Sequence, residues 1–181
     1  MGGAGTIATD NPSLTVRLAE GRSPVRIILD GNLSSPLNAK IFHDNEARVV
    51  LFHSVKPGAR SSKKVAVLEK LGVEVYKLRG DEKGKIRLRT LLRSIAGLGI
   101  ASVLVEGGSE VFSGFIRSAE ADKLQLFVAP TILGMGKGFA DGLELKDLKR
   151  AIGIRDVQIS QIGSDQLITG YFREGVKCLQ E

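Results

Sequence analysis

Apolar and polar positions fall in blocks along this chain that predict alternating strands and helices. Pro24-Val-Arg-Ile-Ile-Leu-Asp30 is an apolar, β-branched run that stops at a carboxylate and a glycine, and it reads as a strand. Arg48-Val-Val-Leu-Phe-His53 and residues 73–78 read as two more. Residues 101–105 predict a fourth strand and residues 122–129 a fifth. Helical spacing lies between them. Residues 63–71 place Val65, Leu68 and Leu71 on one side, with Ser61 or Ser62 as the cap and Gly72 as the stop. Residues 86–95 place Leu88, Leu91, Leu92 and Ile95 on one stripe, which leaves Arg87, Arg89 and Arg93 mostly on a solvated face. Residues 109–118 turn Val111, Phe112, Phe115 and Ile116 inward. A short helical turn is expected at 38–42 and a short helix at 143–152. Residues 153–162 and 166–172 predict a closing hairpin around Gly163-Ser-Asp165.

This order of elements implies one α/β domain over residues 1–181, with three layers and a mainly parallel central sheet. The terminal hairpin would add an antiparallel edge. Parallel strands covered on both faces account for the nearly continuous apolar runs. Residues 1–23, dense in Gly, Thr, Asp, Asn and Pro, predict a long loop, with residues 14–17 as a short extended piece. Such a loop is normally held by a scaffold, so part of the domain is expected upstream of Met1. Residues 130–138 contain three glycines and predict another loop.

Composition narrows the function classes. Apolar residues make up 43% and charged residues 25% of the 181, as in a globular protein. No apolar run approaches the roughly 18 residues of a membrane span, and no secretory leader is visible. The single cysteine, Cys178, permits no disulfide within the chain, which suits a cytoplasmic setting. His43 and His53 are too few and too isolated to predict a metal site. Net charge is +6, and residues 56–93 hold twelve basic and four acidic side chains. That skew could face nucleic acid, but Tyr76 is the only aromatic within it and no recognition motif accompanies it. A solvated surface, or a site for a phosphorylated small molecule, fits better.

The candidate chemistry sits at loop positions. In Val103-Leu-Val-Glu-Gly-Gly-Ser-Glu-Val-Phe112 an expected strand runs through a carboxylate and two glycines into a helix. The glycines allow close backbone approach, and the free amides of a helix N-terminus favour an anion. Ser109 and the amides of residues 108–111 could hold a phosphate or pyrophosphate. Glu106 lies where an α/β sheet usually meets its ligand. The plainer reading is a tight turn with Ser109 as an N-cap. A second stretch, Gly5-Thr-Ile-Ala-Thr-Asp-Asn-Pro-Ser-Leu-Thr-Val-Arg17, offers a hydroxyl, a carboxylate and a forked cation suited to phosphate. Singly, these are equally well an ordinary turn and a surface ion pair.

Four segments taken together are more specific: residues 5–17, 24–30, 104–110 and Val128-Ala-Pro-Thr-Ile-Leu-Gly134. In order and spacing they resemble the reductase of riboflavin biosynthesis, the C-terminal domain of the bifunctional deaminase–reductase. The resemblance covers roughly residues 3–172. It implies a dihydrofolate-reductase-like α/β fold, a homodimer, and NADPH as cofactor. It implies reduction of the ribosyl group of a phosphoribosylamino-pyrimidine to ribityl, by hydride delivery to an imine-like C1′. The protein's part is then positioning, with no catalytic nucleophile and no metal expected.

By motif, the resemblance assigns Thr6, Asp10 and residues 107–114 to the cofactor, the named positions being Gly107, Gly108, Ser109, Glu110, Val111 and Phe112. Asp30 and Gly31 are further cofactor-side candidates, and Ser54 and Lys56 are candidates for the 2′-phosphate. Leu14, Arg17 and Glu106 match substrate contacts, Arg17 suiting the phosphate. Family members begin with a strand, a Ser-Leu-Asp-Gly-type loop and a helix ahead of the Gly-Thr motif, so the chain is expected to be shortened at its amino terminus. A deaminase domain fused upstream is possible in such a family. Two other readings remain open: a reductase of the same fold acting on a pterin-like substrate, and a catalytically silent nucleotide- or nucleic-acid-binding module.

Overall fold

The computed structural model describes residues 1–82, 84–136, 138–143 and 151–172. The chain forms two compact units, Met1–Val111 and Phe112–Glu181. In the first, four parallel strands lie in the order β1 (Gly2–Gly3), β2 (Arg26–Leu29), β3 (Val49–His53) and β4 (Glu74–Lys77). Helices α1 (Ala4–Asp10), α2 (Ala59–Lys70) and α3 (Leu88–Gly97) and a 3-10 turn at Lys40–Phe42 accompany them. Helix α4 (Ser109–Arg117) spans the unit boundary. In the second unit, β5 (Lys123–Val128), β6 (Arg155–Ile162) and β7 (Asp165–Tyr171) form an antiparallel sheet in the order β5-β7-β6.

β3 is the centre of the first unit. All five of its residues are buried, because β2 and β4 pair with its edges and both its faces are covered. Ile28 and Leu51, register partners, meet Ile7 of α1, Leu68 of α2 and Phe42 of the 3-10 turn in one core cluster. On the other face, Phe52 stacks on Tyr76 of β4 with ring centroids 5.5 Å apart. α3 buries Leu91 and Ile95 and leaves Arg87, Arg89 and Arg93 exposed, as its spacing predicted.

Several expectations need correction. Residues 1–10 are a short strand and a helix, not a loop. A glycine, two threonines and a single buried apolar residue, Ile7, give too little periodicity to read as a helix. Asn11, in the left-handed region at φ 45°, ends it. α2 starts at Ala59 with Gly58 as its N-cap, and the Ser61 hydroxyl donates to the carbonyls of Lys56 and Gly58 instead of capping. Residues 101–105 are extended but form no regular strand among the described residues. Their neighbour β1 is only two residues long, so the ladder reduces to Met1 N to Leu104 O at 2.6 Å, Glu106 N to Met1 O at 3.0 Å, and one parallel bridge between Gly2 and Gly107. β5 pairs with β7 and so belongs to the antiparallel sheet rather than to the parallel one. The expected helix at 143–152 lies mostly outside the described residues.

One charged side chain is embedded at the start of β2. Arg26 is 2% exposed. Its Nη1 donates to both Asp44 carboxylate oxygens at 2.6 and 2.7 Å and to the Ser13 carbonyl at 3.2 Å, and its Nη2 donates to the Ala47 carbonyl at 2.6 Å. Removing one member of such a pair strands the other charge in a poorly solvated place, at a cost of about 3–5 kcal/mol. Asp44→Ala is therefore expected to lose about that much stability, read as a lower urea midpoint at an unchanged slope.

Candidate active site

Two segments far apart in sequence meet at the start of α4. Gly107 and Gly108 pass directly over Thr6 of α1. A methyl group on Gly107 would lie 2.8 Å from Thr6 Cγ2 and 2.9 Å from Thr6 Oγ1, distances that real Cβ atoms do not tolerate. Gly108 is at φ +87°, where a side chain would add backbone strain. Gly3, at the end of β1, approaches the same place, since a methyl there would lie 3.0 Å from Val111 Cγ2. The glycines thus let the Thr6 and Val111 side chains pack directly on backbone. At the start of α4 the Val111 amide donates to the Gly108 carbonyl at 2.9 Å, and the helix N-terminus carries the positive end of the dipole. Ser109 is buried in this turn, Glu110 is exposed, and Val111 and Phe112 are half-buried. Such a turn is shaped for an anionic group such as a pyrophosphate.

Thr6 is therefore part of the turn's own packing, while Asp10, the last residue of α1, is exposed. Asp30 and Gly31 follow β2 and serve a second loop. Asp30 is buried, and its carboxylate accepts bonds from Ser34 N at 2.7 Å, Ser34 Oγ at 3.1 Å and Ser35 N at 2.8 Å. The Lys64 ammonium, from α2, ties the same loop by donating to the Leu33 and Ser35 carbonyls, both at 2.6 Å. The Gly31 carbonyl accepts from Ser54 N at 3.1 Å and Ser54 Oγ at 3.0 Å, and that hydroxyl also reaches the Gly84 carbonyl. Ser54 is thus engaged in joining loops, whereas Lys56 is exposed.

Of the substrate-side candidates, Leu14 and Glu106 line one cavity of about 320 Å³, which extends along the start of β2 and residues 100–104. Leu14 has φ +53°. Thr15, beside it, lines the same cavity and has a buried hydroxyl with no hydrogen-bond partner among the described residues. Arg17 is exposed and does not line the cavity, and its guanidinium likewise has no such partner among the described residues.

Sequence reasoning passed over three residues here. Arg26 could have been noticed as a charge inside an apolar run. Lys64 carries no signal, because a lysine on a helix reads as solvated. His53, considered only as a metal ligand, is nearly buried at the end of β3, where its Nδ1 accepts from Val55 N at 3.2 Å. Burial lowers its pKa, nearby Lys77 adds to the lowering, and Asp30 opposes both. Among the described residues no three His, Cys, Asp or Glu side chains gather as a metal site, and no helix is long and apolar enough to cross a membrane.

An α/β sheet whose strands end in polar loops, beside a glycine turn at a helix N-terminus, is an arrangement that can accept a ligand at the sheet's end. The chain belongs to the RibD C-terminal domain family, whose model matches residues 1–168. It is 34% identical over 176 residues to the riboflavin biosynthesis protein RibD of Bacillus amyloliquefaciens, covering 96% of this chain and 46% of that protein. It is 34% identical over 172 residues to the 2,5-diamino-6-ribosylamino-4(3H)-pyrimidinone 5′-phosphate reductase of Aquifex aeolicus, covering 93% and 73%. The crystal structure of a diaminohydroxyphosphoribosylaminopyrimidine deaminase/5-amino-6-(5-phosphoribosylamino)uracil reductase from Thermotoga maritima superposes with a TM-score of 0.72 at 32% identity, covering 95% of this chain and 44% of that one. The expected dihydrofolate-reductase-like α/β class stands. The chain spans about half the length of the RibD relatives it matches, 46% and 44% for two of them.

The geometry makes two predictions. Gly107→Ala is expected to destabilise the protein by about 1–3 kcal/mol through overpacking. Thr6→Ala in the same chain should recover much of that loss, a coupling that a double-mutant cycle of urea midpoints will read. For His53 the folded pKa lies below the ordinary value of about 6.5, so protonation favours the unfolded chain. Its contribution is present above pH ~6.5 and is lost as pH falls through the lowered folded value. Stability should therefore drop as pH falls below about 6.5, and His53→Gln should flatten that part of the profile.

Proposed function

We propose that this chain is an NADPH-dependent reductase of riboflavin biosynthesis. Its substrate is 5-amino-6-(5-phosphoribosylamino)uracil or the 2,5-diamino-pyrimidinone counterpart, and its product carries a ribitylamino group. The observation that carries this reading is the close packing of Thr6 under Gly107 and Gly108. It brings the two most specific family motifs together at the N-terminus of α4. The names of the Aquifex and Thermotoga relatives, one a pyrimidinone phosphate reductase and one a deaminase/reductase, support the reaction class.

We assign the cofactor pyrophosphate to this turn, where α4 begins at Ser109 directly after two glycines. Residues 107–111 would hold it through amides and the Ser109 hydroxyl, with Thr6 supporting the turn from below and Asp10 at the rim. Gly31 lies on the cofactor side, in the loop that Asp30 fixes. When bound, the nicotinamide supplies the hydride. This chain's own work is to bind and orient. Leu14 packs against the substrate, Glu106 accepts hydrogen bonds from its sugar or pyrimidine, and Arg17, exposed and without a partner among the described residues, takes its phosphate. That cation favours a phosphosugar over a pterin. We further read residues 1–181 as one reductase domain that works in the cytoplasm as a homodimer, in a family some of whose members carry a fused deaminase domain. Val157, Ile159 and Ile162, exposed on the edge strand β6, support self-association.

Thermal melting with NADPH, NADH and nucleic acid tests the cofactor half. Saturation at 100 times Kd adds about 2.7 kcal/mol, so NADPH should raise Tm by several degrees while nucleic acid does not. In steady-state assays Arg17→Ala should raise the substrate KM by about tenfold to a hundredfold, as expected for a lost charged hydrogen bond, with the NADPH constant unchanged. Silence toward every nicotinamide nucleotide, or an Arg17→Ala variant indistinguishable from the parent, would overturn the reading.

A further inference from the structure

We propose that the buried Arg26–Asp44 pair is a positioning device for the substrate loop, acting through the Ser13 carbonyl. This inference rests on the reading of Leu14 and Arg17 as substrate contacts. Residues 11–25 contain no helix or strand, yet within them Leu14 takes a left-handed conformation at φ +53°. That conformation is disfavoured for a leucine, so its surroundings must impose it. The carbonyl immediately before it is that of Ser13, and Arg26 Nη1 donates to it at 3.2 Å.

Arg26 is well placed to transmit rigidity. It is the first residue of β2, which pairs with the wholly buried β3. Its guanidinium is fixed on other sides by the Asp44 carboxylate and the Ala47 carbonyl. The same neighbourhood provides a second tie, since the Lys40 amide donates to Asn11 Oδ1 at 2.8 Å. Residues 40–47 and the start of β2 therefore hold the loop at Asn11 and at Ser13, on the N-terminal side of Leu14.

The energetics favour a geometric role. A buried ion pair replaced as a unit by apolar side chains often leaves stability unchanged or improved. The value of this pair then lies in what it fixes rather than in its contribution to folding. A planar fork with several donors can bind Asp44, Ala47 and Ser13 together, whereas the single ammonium of a lysine cannot reproduce that arrangement. Arg26 also lines the cavity beside Leu14, and in this account it touches no reacting atom and acts through the loop.

The test compares the parent chain with the double variant Arg26→Met/Asp44→Leu and with Arg26→Lys. Two readouts are used: hydrogen–deuterium exchange of the amides of residues 14–17 without ligand, and separate KM values for pyrimidine and NADPH. The double variant should fold with a Tm near that of the parent. Its loop amides should exchange at least about tenfold faster, and its pyrimidine KM should rise by about tenfold to a hundredfold, the scale of a small misplacement. The NADPH KM should change by less than about twofold. Arg26→Lys should fall between parent and double variant, and it carries the same readouts if the double variant does not fold. Unchanged loop exchange, or pyrimidine and NADPH constants that move together, would overturn the proposal. A parent chain that reduces neither pyrimidine would overturn the proposed function instead, and unchanged loop exchange would still reject the tie.

Discussion

The complete burial of β3 is the constraint on which the first unit depends. A parallel strand paired on both edges and covered on both faces can carry little but apolar side chains. Val49 to Phe52 comply, and His53, at the exit, is the first polar residue. Polar chemistry is therefore displaced to the strand ends. Asp30 follows β2, His53 closes β3, and its register partner Lys77 closes β4. Lys77 is exposed, but the other two are tied down. Asp30 spends its carboxylate on Ser34 and Ser35, and His53 is depressed by burial and by Lys77. These groups shape the loops that a ligand would meet.

The glycine contacts follow from the same economy of space. β1 is two residues long and ends against the start of α4. With so short a strand, hydrogen bonding can do little to hold residues 104–107, and close packing does more of the work. Thr6 under Gly107 and Val111 against Gly3 place the helix N-terminus where an anion can reach it. Here glycine is required by contact at Gly107 and by backbone conformation at Gly108, which are two different reasons in adjacent residues.

Arg26 is, with Asp30, a charged side chain buried in the first unit, and its acceptors explain why it is tolerated. Four bonds go to Asp44, Ser13 and Ala47, while its Nε has no partner among the described residues. A side chain used only for stability would not need so many dissimilar acceptors. The carboxylate settles the charge, and the two carbonyls bring loops into register with β2. The connection between the sheet and the Leu14 loop is thus a polar one in an otherwise apolar core.

By itself the sequence determined the central strands, helices α2 to α4, the closing hairpin and the family, because each rests on local signals. Periodicity marks a buried face, and a motif such as Glu106-Gly-Gly-Ser109 keeps its spacing wherever the chain goes. The alternation Lys123-Leu-Gln-Leu126 also carried a legible hint that β5 is antiparallel and half-covered, since a strand buried in a parallel sheet would not alternate. The tertiary structure alone decided the rest. α1 exists although more than half of its sequence is glycine and polar residues, because one side chain, Ile7, reaches the core. Residues 101–105 look like a strand but form no ladder, because a strand is defined by its partner and β1 offers only two residues. The meeting of Thr6 with Gly107, and of Ser13 with Arg26, joins segments that no local pattern relates. Such contacts are fixed only when the chain is packed, since their energy comes from removing space and water between surfaces that the sequence lists separately.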